Sequence, residues 1–256
     1  MSEPKYRRIL VKLSGEAFAG GEHFGIDPTT VHRLAGELKE VRDIGVDVAV
    51  VVGGGNIFRA RTRTPHDIER TTADYMGMVA SVLNGLALQD ALEKIGVHTR
   101  MQTAIEMREV AEPYIRRRAI RHLEKGRIVI FAAGTGKPYF TTDTAAALRA
   151  AEVGADAILK GSTVDAIYDR DPKLDADARR IAHLDYMEAL TLQIKALDAT
   201  AVSLSQETGL PIILFDIRVP GHLKRVVLGE SIGSIISARG AGEPESAGGA
   251  AQGGQS

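Results

Sequence analysis

The chain contains no cysteine and no tryptophan, and only 5% of its residues are aromatic. Without cysteine there is no disulfide, no thiolate nucleophile and no zinc–thiolate centre. That absence fits a reducing, cytoplasmic setting. An excess of one charge is also missing: 32 Lys and Arg stand against 33 Asp and Glu, a formal net charge of −1. No global field therefore recruits nucleic acid or a membrane surface. No apolar run is long enough to cross a bilayer, and the polar residues 1–8 lead straight into an apolar strand, so no secretory leader is expected. What remains is 256 residues at 44% hydrophobic and 25% charged. That suffices for one large α/β domain, or two lobes sharing a sheet, with ample core.

The stretch 128–149 organises the rest. Residues 128–132 form an apolar run of buried-strand type. Gly134, Gly136 and Pro138 break it into a turn. Thr141 or Thr142 then caps a helix with Asp143 in its first turn and a run of good helix formers behind it. Strand, glycine-rich loop and polar helix start aim free N–H groups and hydroxyls at one place, which suits a phosphate.

The same grammar recurs. Residues 9–13 read as a first strand, followed by a turn at Ser14, Gly15 and Glu16. Residues 19–26 read as a surface loop or hairpin. Asp27 and Pro28 start a helix whose apolar positions run from Val31 to Ile44, and Gly45 stops it. A second strand at 46–52 ends in the glycine turn 53–56. Residues 59–70 are polar and basic, a solvated loop or a lid carrying arginines to phosphates. Thr71 or Thr72 caps a long helix with Asp74 in its first turn and an apolar arc wide enough to pack against another subunit. Further strands are expected at 97–101, 155–160, 211–215 and 232–236, and helices at 186–190, 198–207 and 220–228. Arg116, Arg117, Arg118 and Arg121 lie on a short helix without interleaved aromatics, so a solvated face is the better account than base stacking. From residue 239 the tail is composed for disorder. Alternating strands and helices predict a three-layer αβα sandwich around a mostly parallel sheet.

Four strand ends carry small or polar loops, at 12–15, 53–56, 134–142 and 160–163. In a parallel sheet these gather at one edge, where ligands bind. Three phosphate-suited loops with two lysines imply a polyphosphate, or two phosphorylated ligands facing each other. The P-loop pattern Gly-x-x-x-x-Gly-Lys-Ser/Thr is absent, as are Gly-x-Gly-x-x-Gly, His-Glu-x-x-His and Gly-x-Ser-x-Gly. The seven histidines have no ligand spacing, so no resident metal site is expected beyond magnesium carried in with a nucleotide.

Together the motifs resemble the amino-acid-kinase fold family, and within it the bacterial uridylate (UMP) kinases. The carrying residues are Lys12, Leu13, Ser14, Gly15 and Glu16; Phe24 to Asp27; the glycines 53–55 with Asn56 and Arg59; Asp74 to Met78 running into Asn84; and Gly134 to Asp143. The match runs from about residue 8 to 236. The resemblance implies transfer of the ATP γ-phosphoryl group to UMP, with magnesium. Lys12, Leu13, Ser14 and Gly15, with Gly55 and Arg59, would handle the ATP phosphates. Ser162, Tyr168 and Asp171 would hold the adenosine end. Gly54 and Asp74 would hold UMP together with Thr135, Gly136, Lys137 and Pro138, and with Tyr139, Phe140, Thr141 and Thr142. Lys12, Asp143 and Asp198 would be catalytic. The resemblance also implies a cytoplasmic homohexamer activated by GTP and inhibited by UTP. The loop of Gly20, Gly21, Glu22, His23, Phe24 and Gly25 would serve the effector. UMP binding falls to about residues 1–155 and ATP binding to about 156–238 of one catalytic domain. Two alternatives stay open: a kinase of the same fold acting on a carboxylate or carbamate, and a nucleotide-binding or storage relative without turnover.

Overall fold

Short apolar runs, each released into a glycine-rich or polar turn, build the central sheet. The computed structural model describes residues 3–22, 24–59, 68–170, 172, 174–175, 177–192, 194 and 197–238. Its strands are β1 (Arg8–Leu13), β2 (Asp47–Val52), β3 (Thr99–Thr103), β4 (Glu112–Pro113), β5 (Ile128–Ala132), β6 (Ala157–Ser162), β7 (Ile167–Tyr168), β8 (Arg180–Ile181), β9 (His183–Leu184), β10 (Ile212–Asp216) and β11 (Ser234–Ile236). The helices are α1 (Pro28–Asp43), α2 (Arg70–Lys94), α3 (Arg116–Glu124), α4 (Thr142–Val153), α5 (Tyr186–Thr191), α6 (Ala199–Thr208) and α7 (His222–Val227). Nine strands form one sheet in the order β4-β3-β5-β2-β1-β6-β10-β11-β9. Every pairing in it is parallel except β10 with β11. β7 and β8 make a separate antiparallel pair.

Strand alternation divides the core between two helical layers. Ile9, Val11 and Leu13 of β1 pack with α1, α2 and α7. Leu10 of β1, with Ala49 and Val51 of β2, packs with α3, α4, α5 and α6. The three-layer αβα architecture expected from the sequence is therefore the one observed. Since β1 pairs with both β2 and β6, the two halves of the chain share one sheet.

Local signals worked where a side chain caps. Asp27 accepts from the N–H groups of Thr29 and Thr30 ahead of Pro28, and Thr141 accepts from Thr144 N–H. Two expectations need correction. α2 starts at Arg70 behind Glu69, with no side-chain cap, so Thr71 and Thr72 lie inside it. β3 and β6 each begin two residues later than their apolar runs. The turn expected at Ser14, Gly15 and Glu16 continues as a short 3-10 helix, Gly15–Phe18; of the two readings open for 19–26, the described residues favour the loop, since none of them is in a strand. Residues 60–67 of the expected lid, and the tail from 239, lie outside the described residues. None of the described helices is long and apolar enough to cross a membrane.

Candidate active site

The parallel register brings two lysines side by side. Lys12 of β1 is paired directly with Lys160 of β6, and both point to the α4 side. Two like charges this close need a counter-ion. Asp143, in the first turn of α4, provides it: Lys12 Nζ lies 2.9 Å from Asp143 Oδ1, and Lys160 Nζ bonds Asp143 Oδ2. The helix N-terminus favours a carboxylate there as well. Burial opposes the negative charge of Asp143, but the two lysines outweigh it and hold the carboxyl at about 2. Burial, and the charge of Lys12, lower the pKa of Lys160 against the pull of Asp143. The bridge carries one net positive charge. Both lysines are only 8% exposed, so the bridge lies beneath the surface of the site and not at a solvent-facing mouth.

Above the bridge opens a cavity of about 570 Å³. One wall is made by the turns after β1 and β2, pressed together. A Cβ on Gly15 would lie 2.3 Å from Gly55 N and 2.7 Å from Asn56 N, so only glycine permits this approach. Arg59 donates to Gly55 O and is ion-paired with Glu16 across the two turns. Ser14 Oγ is buried without a hydrogen-bond partner among the described residues, facing the same space. A buried orphan hydroxyl beside stacked glycine amides is what an anionic ligand satisfies. The turn is braced from behind by a buried amide pair. Asn84 Nδ2 donates to Gly53 O and Asn56 Oδ1, and Asn56 Nδ2 donates to Asn84 Oδ1 and Gly25 O.

The opposite wall is the loop after β5, with α2 between the two walls. Asp74 accepts from Tyr139 N–H at 2.8 Å and is paired with Arg70 at 2.9 Å. Ser81 Oγ accepts from Ala133 N–H. Tyr139 and Phe140 are largely exposed at the rim, and the Arg70 guanidinium stands 5.5 Å from the Tyr139 ring. Asp198 caps α6 through one carboxylate oxygen, bonded to Thr200 and Ala201 N–H, and lines the floor of the cavity.

The cavity therefore gathers Lys12, Ser14, Gly15, Gly54, Gly55, Arg59, Asp74 and Asp198 from the expected set. Thr135, Tyr139, Phe140, Thr141 and Thr142 join them. Asp143 lies just beneath, in a small void with Lys12 and Lys160. Leu13 is not in the cavity; its side chain is core. Gly136, Lys137 and Pro138 are in the loop but not on the cavity wall. Gly136 is forced by φ = 74° and by Ala104 O, 2.9 Å from where its Cβ would be, while the Lys137 side chain points outward. Ser162 and Tyr168 also fall outside this cavity; Tyr168 donates to Asp165. Asp171 and His23 lie outside the described residues. Sequence reading missed Lys160 as part of the bridge, and Arg70, Ala73, Gly77, Met78 and Ser81 on α2. Their recurrence every three or four residues was the available signal, a stripe of small and polar residues beside the apolar one.

Among the described residues, no group of three or more His, Asp or Glu is placed to hold a metal ion. The arrangement is a lysine-bearing floor between two walls built on glycine-containing turns, which defines a phosphoryl-transfer site that works by charge and placement.

The comparisons agree with that class. Residues 7–216 match the model of the amino acid kinase family, and the chain belongs to that family. Two solved structures narrow the likeness. The UMP kinase from Bacillus anthracis is 37% identical, with a TM-score of 0.88 over 91% of this chain and 96% of that one. The UMP kinase from Ureaplasma parvum is 36% identical, with a TM-score of 0.85 over 91% and 99%. The uridylate kinase from Archaeoglobus fulgidus, at 23% identity and a TM-score of 0.71, shares the fold.

Proposed function

We propose that this chain transfers the γ-phosphoryl group of ATP to UMP, giving ADP and UDP. The observation that carries the reading is the Lys12–Asp143–Lys160 bridge, buried at the meeting point of two separate phosphate-suited walls. Two solved structures that share 36% and 37% identity with it over 91% of the chain are UMP kinases. A phosphate oxygen of UMP attacks the γ-phosphorus in line, the bond to the β-bridging oxygen breaks, and ADP leaves. The acceptor is already an anion, so no general base is needed. Lys12 and Lys160 neutralise charge on the transferred group, and Asp143 fixes their positions. Asp198 adds a negative charge beside Lys160. Ser14, Gly15, Gly55 and Arg59 take the ATP phosphates, with Ser162, Tyr168 and Asp171 toward adenosine. Gly54, Asp74 and residues 135–142 take UMP. Magnesium arriving with the nucleotide would supply further charge neutralisation; the orphan hydroxyl of Ser14 at the cavity, with no group of three or more His, Asp or Glu placed to hold a metal among the described residues, fits an ion held mainly by phosphate oxygens.

Turnover measured as ADP release with each nucleoside monophosphate tests the proposal. UMP should exceed CMP by about 100-fold or more in kcat/KM, because a site that reads uracil leaves polar groups unpaired against cytosine. Equal values for UMP and CMP would overturn it, and phosphorylation of a carboxylate or carbamate instead would favour another kinase of the family.

A further inference from the structure

Among the described residues, two that are not glycine adopt left-handed backbone: Ala133 at φ = 61° and Tyr139 at φ = 72°. They bracket the first half of the loop assigned to the acceptor. Alanine and tyrosine disfavour this region, since Cβ crowds the backbone, and such residues persist where their surroundings hold them. In both cases the holder is a side chain of α2. Ser81 Oγ accepts from Ala133 N–H at 2.8 Å, and Asp74 Oδ2 accepts from Tyr139 N–H at 2.8 Å. Residues 74 and 81 are seven apart, two turns along one helix face.

Ser81 has a second contact. A Cβ on Gly54 would come within 2.7 Å of Ser81 N, so the turn after β2, which carries Gly55 of the ATP-phosphate wall, rests directly on the backbone of this serine. Its hydroxyl proton is committed to Met78 O at 2.7 Å, which leaves its lone pair for Ala133. The side chain is buried, and so is Ala133. One residue thus touches both walls of the cavity. We propose that Ser81 is a positioning residue: it holds Ala133 left-handed and so fixes the spacing between the turn that takes ATP phosphates and the loop that takes the acceptor. The proposal deepens the UMP kinase reading and rests on it. The plainer account is a helix serine bonded back to its own turn, which is common and local.

The two accounts separate through Ala133→Gly, because glycine enters the left-handed region without steric cost. Ser81→Ala should lower kcat/KM for UMP about 10- to 100-fold, the scale of a misplaced acceptor, with KM for ATP changed by less than about twofold. Ala133→Gly alone should stay within about twofold of the parent, and the double variant should recover to within about threefold of it, a non-additivity expected only of coupled residues. Hydrogen exchange at the Ala133 amide should quicken about tenfold or more in Ser81→Ala, since its only described acceptor is gone. A double variant no better than Ser81→Ala, or Ser81→Ala with parental kinetics, overturns the proposal. If the parent itself fails to turn over UMP, the kinase reading falls. The exchange measurement then decides the role of Ser81 alone: unchanged protection at Ala133 overturns it, and lost protection supports it.

Discussion

Asp143 answers two lysines with one carboxylate, and its replacement shows what the bridge does. Asp143→Asn should lower turnover about 100-fold or more, the scale of losing one preorganised electrostatic partner. It should also cost about 3 kcal/mol of stability, because Lys12 and Lys160 are left buried and facing each other. A loss of stability alone, with turnover near normal, would reduce Asp143 to a structural ion. The pH response gives a second reading. The folded carboxyl sits at about 2, below its ordinary 3.8. Its contribution is therefore complete above about pH 4 and disappears as pH falls toward 2. Thermal melts of the parent should steepen across that window, and those of Asp143→Asn should stay flatter there. At the alkaline end the sign reverses. Lys160 is already depressed by burial and by Lys12, so without Asp143 it releases its proton more readily when folded. The deficit of the variant should shrink as pH rises toward 10.

At the scale of elements, α2 is the wall that both substrate loops share. Gly54→Ala would drive a methyl group to 2.6 Å from Gly77 O, which is helix backbone and cannot turn away. A loss of about 1–3 kcal/mol in urea melts is expected, with KM for UMP rising through Gly54 itself more than KM for ATP rises through its neighbour Gly55. An unchanged melt and unchanged KM would mean that the turn and α2 are not in firm contact. The same helix shows where sequence stops being informative. The start of α1 was legible because Asp27 and Pro28 announce it chemically. The start of α2 was not, because Glu69 offers no capping side chain and the threonines behind it mimic caps. The strands that carry the lysines were legible as apolar runs; their pairing partners were not, since Lys12 and Lys160 are 148 positions apart and only the ladder aligns them. β11 was legible as a last strand, but its direction was not. α7 has six residues, about 9 Å of helix, too short to return along β10, which spans about 17 Å. The chain therefore re-enters from the same edge and pairs antiparallel.

For the molecule as a whole, the outward face of α2 matters as much as the inward one. Tyr75, Met76, Val79, Leu83 and Leu86 are all exposed along it, a continuous apolar stripe of the kind that marks an interface. We expect light scattering to find an assembly, a hexamer by family resemblance, and Leu83→Asp to give smaller particles. We expect GTP to raise activity at sub-saturating UMP by the equivalent of about 1–3 kcal/mol of coupling, and UTP to oppose it. The loop from Gly20 to Gly25, proposed for that effector, is tied at its base to the donor turn through Asn56, which gives such a signal a short route. A monomer indifferent to GTP would remove both expectations.

The pairing of Lys12 with Lys160 has a consequence for how the chain matures. Slipping β1 against β6 by one position would turn one lysine to the other side of the sheet, away from Asp143. A misaligned sheet is thus an inert sheet: the ladder at the centre of the architecture doubles as a gauge of correct assembly. Activity should therefore return during refolding no earlier than the pairing of these far-separated strands, so that a partly zipped chain burns no ATP.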